Sequence, residues 1–363
     1  MGRTQSTPPS ARLPCGSPSC RRAHTRVTRP LGPHTAAAAG QTGRESSVLP
    51  GSVDGVSDSL VQARGLRKRF GPVEAVRGID FDVSAGEVFG FLGPNGAGKS
   101  STMRMIGCVS PRSSGELQVL GMDPDVDGPR IRARLGVVPQ QDNLDVELSV
   151  RENLHVYGRY FGLSRAVVRA KAAELLDFVQ LGDRADTPVE QLSGGMKRRL
   201  TIARSLVNEP DLMLLDEPTT GLDPQARHLV WDRLFHLKQQ GVTLILTTHY
   251  MDEAEQLCDR LVVMNDGLIV AEGSPRELIA RYTTREVLEL RFRPGGQVGW
   301  REKLDGLANR VEELPDRLLL YTSDGEAALA AVHQHGGHPL SSLVRRATLE
   351  DVFLRLTGRS LEP

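Results

Sequence analysis

Two groups of residues in this chain have the types and spacing needed to handle a polyphosphate. Gly93-Pro94-Asn95-Gly96-Ala97-Gly98-Lys99-Ser100 fits G-x-x-x-x-G-K-[ST] without deviation. Glycines there let the backbone curl until successive N–H groups point at phosphate oxygens. A helix starting at the end of the loop adds its positive N-terminus. Lys99 would neutralise β- and γ-phosphate charge, the Ser100 hydroxyl would ligate Mg²⁺, and Ser101 follows in the same binding turn. The second group is Leu212-Met213-Leu214-Leu215-Asp216-Glu217, an apolar run ending in two acids. Asp216 at a strand end can hold Mg²⁺ directly or through water. Glu217 would then face the γ-phosphate and polarise an attacking water. Paired acids after a strand often only cap a helix, but here a phosphate loop gives them a task.

Both groups need a scaffold of strands and helices. Glu87–Leu92 reads as a buried strand running into the glycine loop, with a helix from near Gly98. Leu212–Leu215 and Thr243–Thr247 read as further buried strands, so the pattern is an α/β domain. Ser149 and Glu152 form a capping-box pattern that opens a helix-rich stretch to about Leu181. Asp223-Pro224 predicts a helix start, and Gly241 predicts its stop after Gln240. Asn265-Asp266-Gly267 predicts a hairpin between Leu261–Met264 and Leu268–Ala271.

After about Arg281 the texture changes. Strands are expected at 287–292, 310–313, 318–322 and 340–345. Helices are expected near 300–307, at 325–334 and from Thr348. That β-α-β-β-α-β order suits a small ferredoxin-like module. Residues 1–58 are rich in Pro, Ser, Gly and Arg and poor in large apolar side chains. They are expected to stay unstructured, because too little apolar surface is there to offset ordering. Their arginine-rich bias also resembles a transit peptide, and a misplaced start is a further alternative. The expected division is therefore 1–58, a nucleotide-binding domain at 59–283 with a helical subdomain at about 145–205, and a small α+β domain at 284–363.

The chain has 363 residues, 45 basic and 45 acidic, for a formal net charge of zero. This balance argues against a dedicated nucleic-acid binder. No apolar run is long enough to span a bilayer, so any membrane partner is expected to be a separate polypeptide. The four cysteines are too scattered for a disulfide scaffold or a metal site.

Gln191-Leu192-Ser193-Gly194-Gly195-Met196 resembles the signature of ATP-binding-cassette ATPases. Ser193, Gly194 and Gly195 would open a helix and make a second anion-binding N-terminus. A chain that already holds ATP on its own loop has no evident use for that site. The economical reading is a head-to-tail homodimer with two ATP molecules between its subunits. The resemblance spans roughly Leu60 to Arg281. It implies that Gln140 senses the γ-phosphate and Mg²⁺, that Asp223 lies on the loop crossing the dimer interface, and that His249 is a switch histidine touching the γ-phosphate. It also implies that Phe70 stacks on adenine, with a core phenylalanine as the alternative. Gln141 is an ambiguous neighbour of Gln140.

Three stretches look closer to the ATPase subunits of type-2 (ABC-2) bacterial exporters, including nodulation-factor and daunorubicin-resistance exporters. They are Gly136–Leu144, Gly194–Arg199 and Thr247–Glu255, and Leu349–Arg359 resembles the ending of that group. Met196 stands where glutamine is more usual. The resemblance implies an ATPase driving a separate permease from the cytoplasmic face of a bacterial membrane. An importer ATPase or a non-transport cassette ATPase are the alternatives. Lys99 and Ser193 are too close in sequence for the long coiled-coil insertion of chromosome-associated relatives.

Overall fold

A computed structural model of the protein describes residues 59–293, 299–300, 304 and 308–357. The N-terminal segment 1–58 lies outside the described residues, as do 294–298, 301–303, 305–307 and 358–363.

The central sheet has six strands in the order β5-β6-β7-β3-β8-β9. They are β5 (Leu135–Val138), β6 (Leu212–Asp216), β7 (Thr243–Thr248), β3 (Val88–Leu92), β8 (Arg260–Asn265) and β9 (Leu268–Gly273). Neighbours are parallel except β9, which returns antiparallel from β8. All residues of β3 and β7 are buried, as expected where both faces of a parallel sheet are covered. Alternation along the strands sorts the side chains into two cores. Phe89, Phe91, Leu214 and Ile245 face one side, while Val88, Leu92, Leu215 and Leu246 face the other.

The first side is covered by a three-stranded antiparallel sheet of order β2-β1-β4, made of β1 (Ser59–Phe70), β2 (Val73–Ser84) and β4 (Ser114–Val119). Phe81 of β2 meets Phe91 edge-on, with ring centroids 5.1 Å apart. The β1–β2 register shifts between Ala63 and Leu66, and the buried positions accordingly step from Val61 and Ala63 to Leu66 and Lys68. This bulge breaks the period-two pattern, which is why so long a hairpin was not foreseen from sequence. The predicted hairpin at 265–267 forms on a two-residue turn, with Asp266 and Gly267 both left-handed.

The helices are α1 (Lys99–Ile106), α2 (Gly128–Arg132), α3 (Val150–Tyr160), α4 (Arg165–Phe178), α5 (Gly194–Ser205), α6 (Pro224–Gln239), α7 (Met251–Leu257) and α8 (Pro275–Tyr282). The capping box of Ser149 and Glu152 is present at the start of α3. Leu154, Leu176 and Leu200, from α3, α4 and α5, share a core with Leu181 and Val189. Helices α6, α7 and α8 cover the second face of the central sheet.

The C-terminal part holds a four-stranded antiparallel sheet of order β11-β12-β10-β13, from β10 (Glu286–Arg291), β11 (Arg310–Glu313), β12 (Leu318–Thr322) and β13 (Ser341–Arg346). This is the strand order of a ferredoxin-like module. The helix expected near 300–307 falls largely outside the described residues; Trp300 and Leu304 are described and buried. They pack with the helix Gly325–Gln334 against Leu288, Leu290, Leu318 and Leu320. The opposite face presents Val287, Leu319 and Tyr321 to Ile279 of α8.

The last helix, Leu349–Thr357, places Leu349, Val352 and Phe353 in the same core as Ala254, Leu257 and Leu278. Its Leu349 amide donates to Glu255 of α7 at 3.3 Å. Asp351 in this helix is fully buried. Arg345 forks onto it at 2.7 and 2.9 Å, and the Tyr321 hydroxyl lies at 3.2 Å. Burial pushes the Asp351 carboxyl up, but bonds from Arg345 and the Thr348 amide outweigh this and hold it below the usual carboxylate range. No helix among the described residues is long and apolar enough to cross a membrane.

Candidate functional site

The glycine loop runs from β3 to α1. Gly98 sits at φ +103°, and an added Cβ there would lie 2.5 Å from the Ala75 carbonyl oxygen, so only glycine fits. Asn95 and Gly96 form the exposed tip, while Gly93, Ala97, Gly98 and Lys99 are buried and Pro94, Ser100 and Ser101 half-buried. Gly267 of the β8–β9 turn braces the loop by donating to the Ala97 carbonyl. Lys99 arches back over the loop, donating to the Gly93 and Pro94 carbonyls at 2.6 and 3.0 Å. Burial pulls its ammonium pKa down, while Glu217 and Asp216 pull it back up.

Asp216 closes β6 opposite the loop. Its Oδ1 accepts from Ser100 at 3.2 Å and from Thr247 at 2.5 Å. A carboxylate and a hydroxyl from separate elements thus converge, which is the hard-oxygen donor set Mg²⁺ favours.

Glu217 follows with φ +46°, a left-handed conformation that costs a non-glycine residue about 1 kcal/mol or more. It is held there because its N–H donates to both the Thr247 carbonyl and hydroxyl oxygens. The turn aims its carboxylate into the site. Gln140 donates to Oε2 at 2.9 Å, Thr220 donates to Oε2 at 3.1 Å, and His249 Nδ1 lies 3.2 Å from Oε1. The His249 contact, chiefly, holds the Glu217 carboxyl below its ordinary range. Of the two neighbouring glutamines, Gln140 is the one that reaches Glu217.

The remaining candidates lie on other elements. Ser193 caps α5, its hydroxyl accepting from the Met196 amide at 3.3 Å. A Cβ on Gly194 would meet nothing within 4 Å, so its backbone is open to approach. A Cβ on Gly195 would lie 2.7 Å from that of Ala226, so this glycine also serves the packing of α5 on α6. Asp223 caps α6 by accepting from the Ala226 amide at 2.9 Å. Phe70 is 48% exposed and carries the Lys68 ammonium 4.9 Å from its ring centroid, so it is not a core residue.

The chain is similar to known proteins in both sequence and fold. Residues 76–220 match the family model described as ABC transporter, and residues 298–358 match that of the nodulation factor export protein NodI, C-terminal domain. The chain is 47% identical to the Nod factor export ATP-binding protein I of Ralstonia nicotianae, over 84% of this chain and 96% of that protein. It is 48% identical to the protein of the same name from Cupriavidus metallidurans, over 84% and 99%. The chain belongs to the ATP-binding-cassette transporter ATPases. A solved dimeric cassette in a post-hydrolysis state, bound to ADP and Pi, is 29% identical with a TM-score of 0.54, covering 59% of this chain and 98% of that one. The protein is thus an ATPase with the P-loop cassette fold and a small C-terminal domain.

One residue in this cassette ATPase escaped the sequence reading. Arg198 of α5 is 4% exposed. Its guanidinium donates to the carbonyls of Pro218 at 2.6 Å, Pro139 at 2.5 Å, and Asp216 and Glu217 at 3.1 Å each. A single side chain therefore ties the signature helix to the backbone of both acids and of the Gln140 loop. Within the basic run Lys197-Arg198-Arg199 it reads as surface; only its helical phase with buried Thr201, Ile202 and Ser205 sets it apart. Arg198→Met should destabilise the cassette by about 3 kcal/mol or more, because several buried carbonyls lose their donor. The midpoint of urea unfolding checks this; a variant as stable as the parent would show that water replaces the guanidinium.

Proposed function

We propose that the protein is the ATP-hydrolysing subunit of an ABC-2-type exporter, working as a homodimer beneath a separate permease at the cytoplasmic face of a bacterial membrane. The observation that carries the reading is the Glu217 carboxylate, hydrogen-bonded by Gln140 and Thr220 and with His249 Nδ1 3.2 Å away, beside the Asp216–Ser100 pair. ATP would lie along Gly93–Ser101, with adenine on Phe70 and the phosphates on loop amides, the α1 N-terminus and Lys99. Ser100, Asp216 and Gln140 would hold Mg²⁺, which supplies charge neutralisation on the β- and γ-phosphates. Glu217 orients and polarises the attacking water, and His249 and Gln140 fix the direction of its carboxylate. Ser193, Gly194 and Gly195 would meet the partner's γ-phosphate, and Asp223 would cross the interface. Losing that phosphate removes the bridge between subunits and releases the closed dimer.

An open groove of about 670 Å³ supports docking of a membrane partner; Val109, Val137, Tyr157, Tyr160 and Phe161 are among its lining residues. Tyr160 is 81% exposed, and Val137 lies three residues before Gln140. A partner seated there would sense movement of the Gln140 loop. The relatives at 47–48% identity are named for Nod factor export, which makes an export role the first to test. Co-expression with a candidate six-helix permease should yield a stable complex with raised ATPase activity and outward transport in vesicles. Uptake dependent on a solute-binding protein would overturn the export reading.

A further inference from the structure

We infer that Arg227 and Tyr250 are positioning residues that set the His249 ring according to the state of the dimer interface at Asp223. The idea rests on the proposed roles of His249 and Asp223. Asp223 caps α6, and Arg227 lies one turn on, its amide donating to the Asp223 carbonyl at 2.9 Å. The Arg227 guanidinium lies 4.5 Å from the centroid of the Tyr250 ring. Its Nε is buried and makes no hydrogen bond, and the group also lies near enough to the buried Glu253 carboxylate to favour its charge. The Tyr250 ring lies against that of His249, with centroids 4.1 Å apart and planes tilted by 39°. A continuous stack therefore runs from the first turn of α6 to the imidazole that touches Glu217.

A second link runs beside the stack and keeps its two ends in register. Glu253 of α7 is fully buried. Its Oε1 accepts from the Thr219 hydroxyl at 2.8 Å and from Trp231 Nε1 at 3.2 Å. Thr219 lies between Glu217 and Asp223, and Trp231 lies on α6. The helix that follows His249 is thus pinned to the segment that carries Asp223. A shift of α6 when a partner engages Asp223 should carry His249 with it, because the ring stack and the Glu253 bonds both join them. Aromatic and cation–π contacts have preferred geometries, so they favour one orientation of the ring.

Steady-state ATPase assays on the full-length protein, with kcat and KM read separately, test this. Tyr250→Ala and Arg227→Ala should each lower kcat about tenfold with KM for ATP unchanged, the rate equivalent of about 1.4 kcal/mol. Tyr250→Phe should retain the parent rate, since the ring and not the hydroxyl makes the contacts. The double variant Arg227→Ala/Tyr250→Ala should be no slower than the slower single one, as members of one relay are not additive. Parent-like kcat for Tyr250→Ala, a Tyr250→Phe enzyme as slow as Tyr250→Ala, or additive losses would each overturn the relay. If Tyr250→Ala does not fold, Arg227→Ala and Tyr250→Phe still decide. His249→Ala serves as the separate control: normal turnover there sinks the assigned role of His249, whereas slow turnover there with a normal Tyr250→Ala sinks only the relay.

Discussion

Glu217→Gln should bind ATP normally, hydrolyse it about 10²- to 10⁴-fold more slowly, and accumulate as an ATP-bound dimer. The amide is nearly the same size as the carboxylate, so the left-handed turn and its bonds to Thr247 should survive. The proton-accepting oxygen is what disappears. Gln140 and Thr220 now both donate to Oε2, and an amide oxygen can still accept from them. The γ-phosphate should therefore remain in place, and the closed dimer with it. Size-exclusion chromatography with ATP, alongside a phosphate-release assay, reads both halves of the prediction. Near-normal phosphate release would remove Glu217 from the role of base and leave the water to be activated by another group.

Lys99→Ala should act earlier, on binding. In the described conformation Lys99 is 4% exposed and holds the ends of its own loop. Its charge sits between Glu217 and Asp216, both of which favour the protonated form. Truncation leaves the loop amides and the α1 N-terminus but removes the ammonium that the loop places at the phosphate chain. Losing a charge-assisted contact of this kind should weaken ATP affinity about 10²-fold. Fluorescent-nucleotide titration measures it. Affinity close to that of the parent would contradict the assignment of Gly93–Ser100 as the phosphate cradle.

The two variants fail at different steps, and the difference follows from where each residue sits. Lys99 lies within the cradle, so its loss is felt before any dimer forms. Glu217 stands at the end of β6, braced by the neighbouring strand, so its loss is felt only after closure. A pair of measurements, one of binding and one of turnover, therefore separates the loop from the acid.

Sequence patterns exposed the residues whose local chemistry is unusual. A glycine loop between a buried strand and a helix, two acids at a strand end, and a Ser-Gly-Gly helix start are rare enough in combination to be read directly. The Asp223 cap and the Asp266-Gly267 turn were legible for the same reason, since each depends on only a few adjacent residues. What escaped depends on contacts distant in sequence. Arg198 gains its meaning from carbonyls contributed by two other segments. The long β1–β2 hairpin was masked because its bulge swaps the inward-facing parity at Ala63 and Leu66. Gly195 is expected in an anion site, yet an added Cβ there would meet Ala226 of α6 at 2.7 Å, a closeness no local pattern announces.

The helix Leu349–Thr357 is the last described element to emerge during synthesis, yet it supplies Leu349, Val352 and Phe353 to the core that backs β3, β6 and β7. A nascent chain halted after α8 would have its phosphate loop, both acids and His249, but would leave Ala254, Leu257 and Leu278 without the side chains of the last helix. Translation order thus delays completion of this core until the C-terminal sheet has been made and the last helix, held to it by the Arg345–Asp351 pair, is in place. A ribosome-stalled or prematurely terminated product is therefore expected to expose that apolar seam to chaperones and proteases.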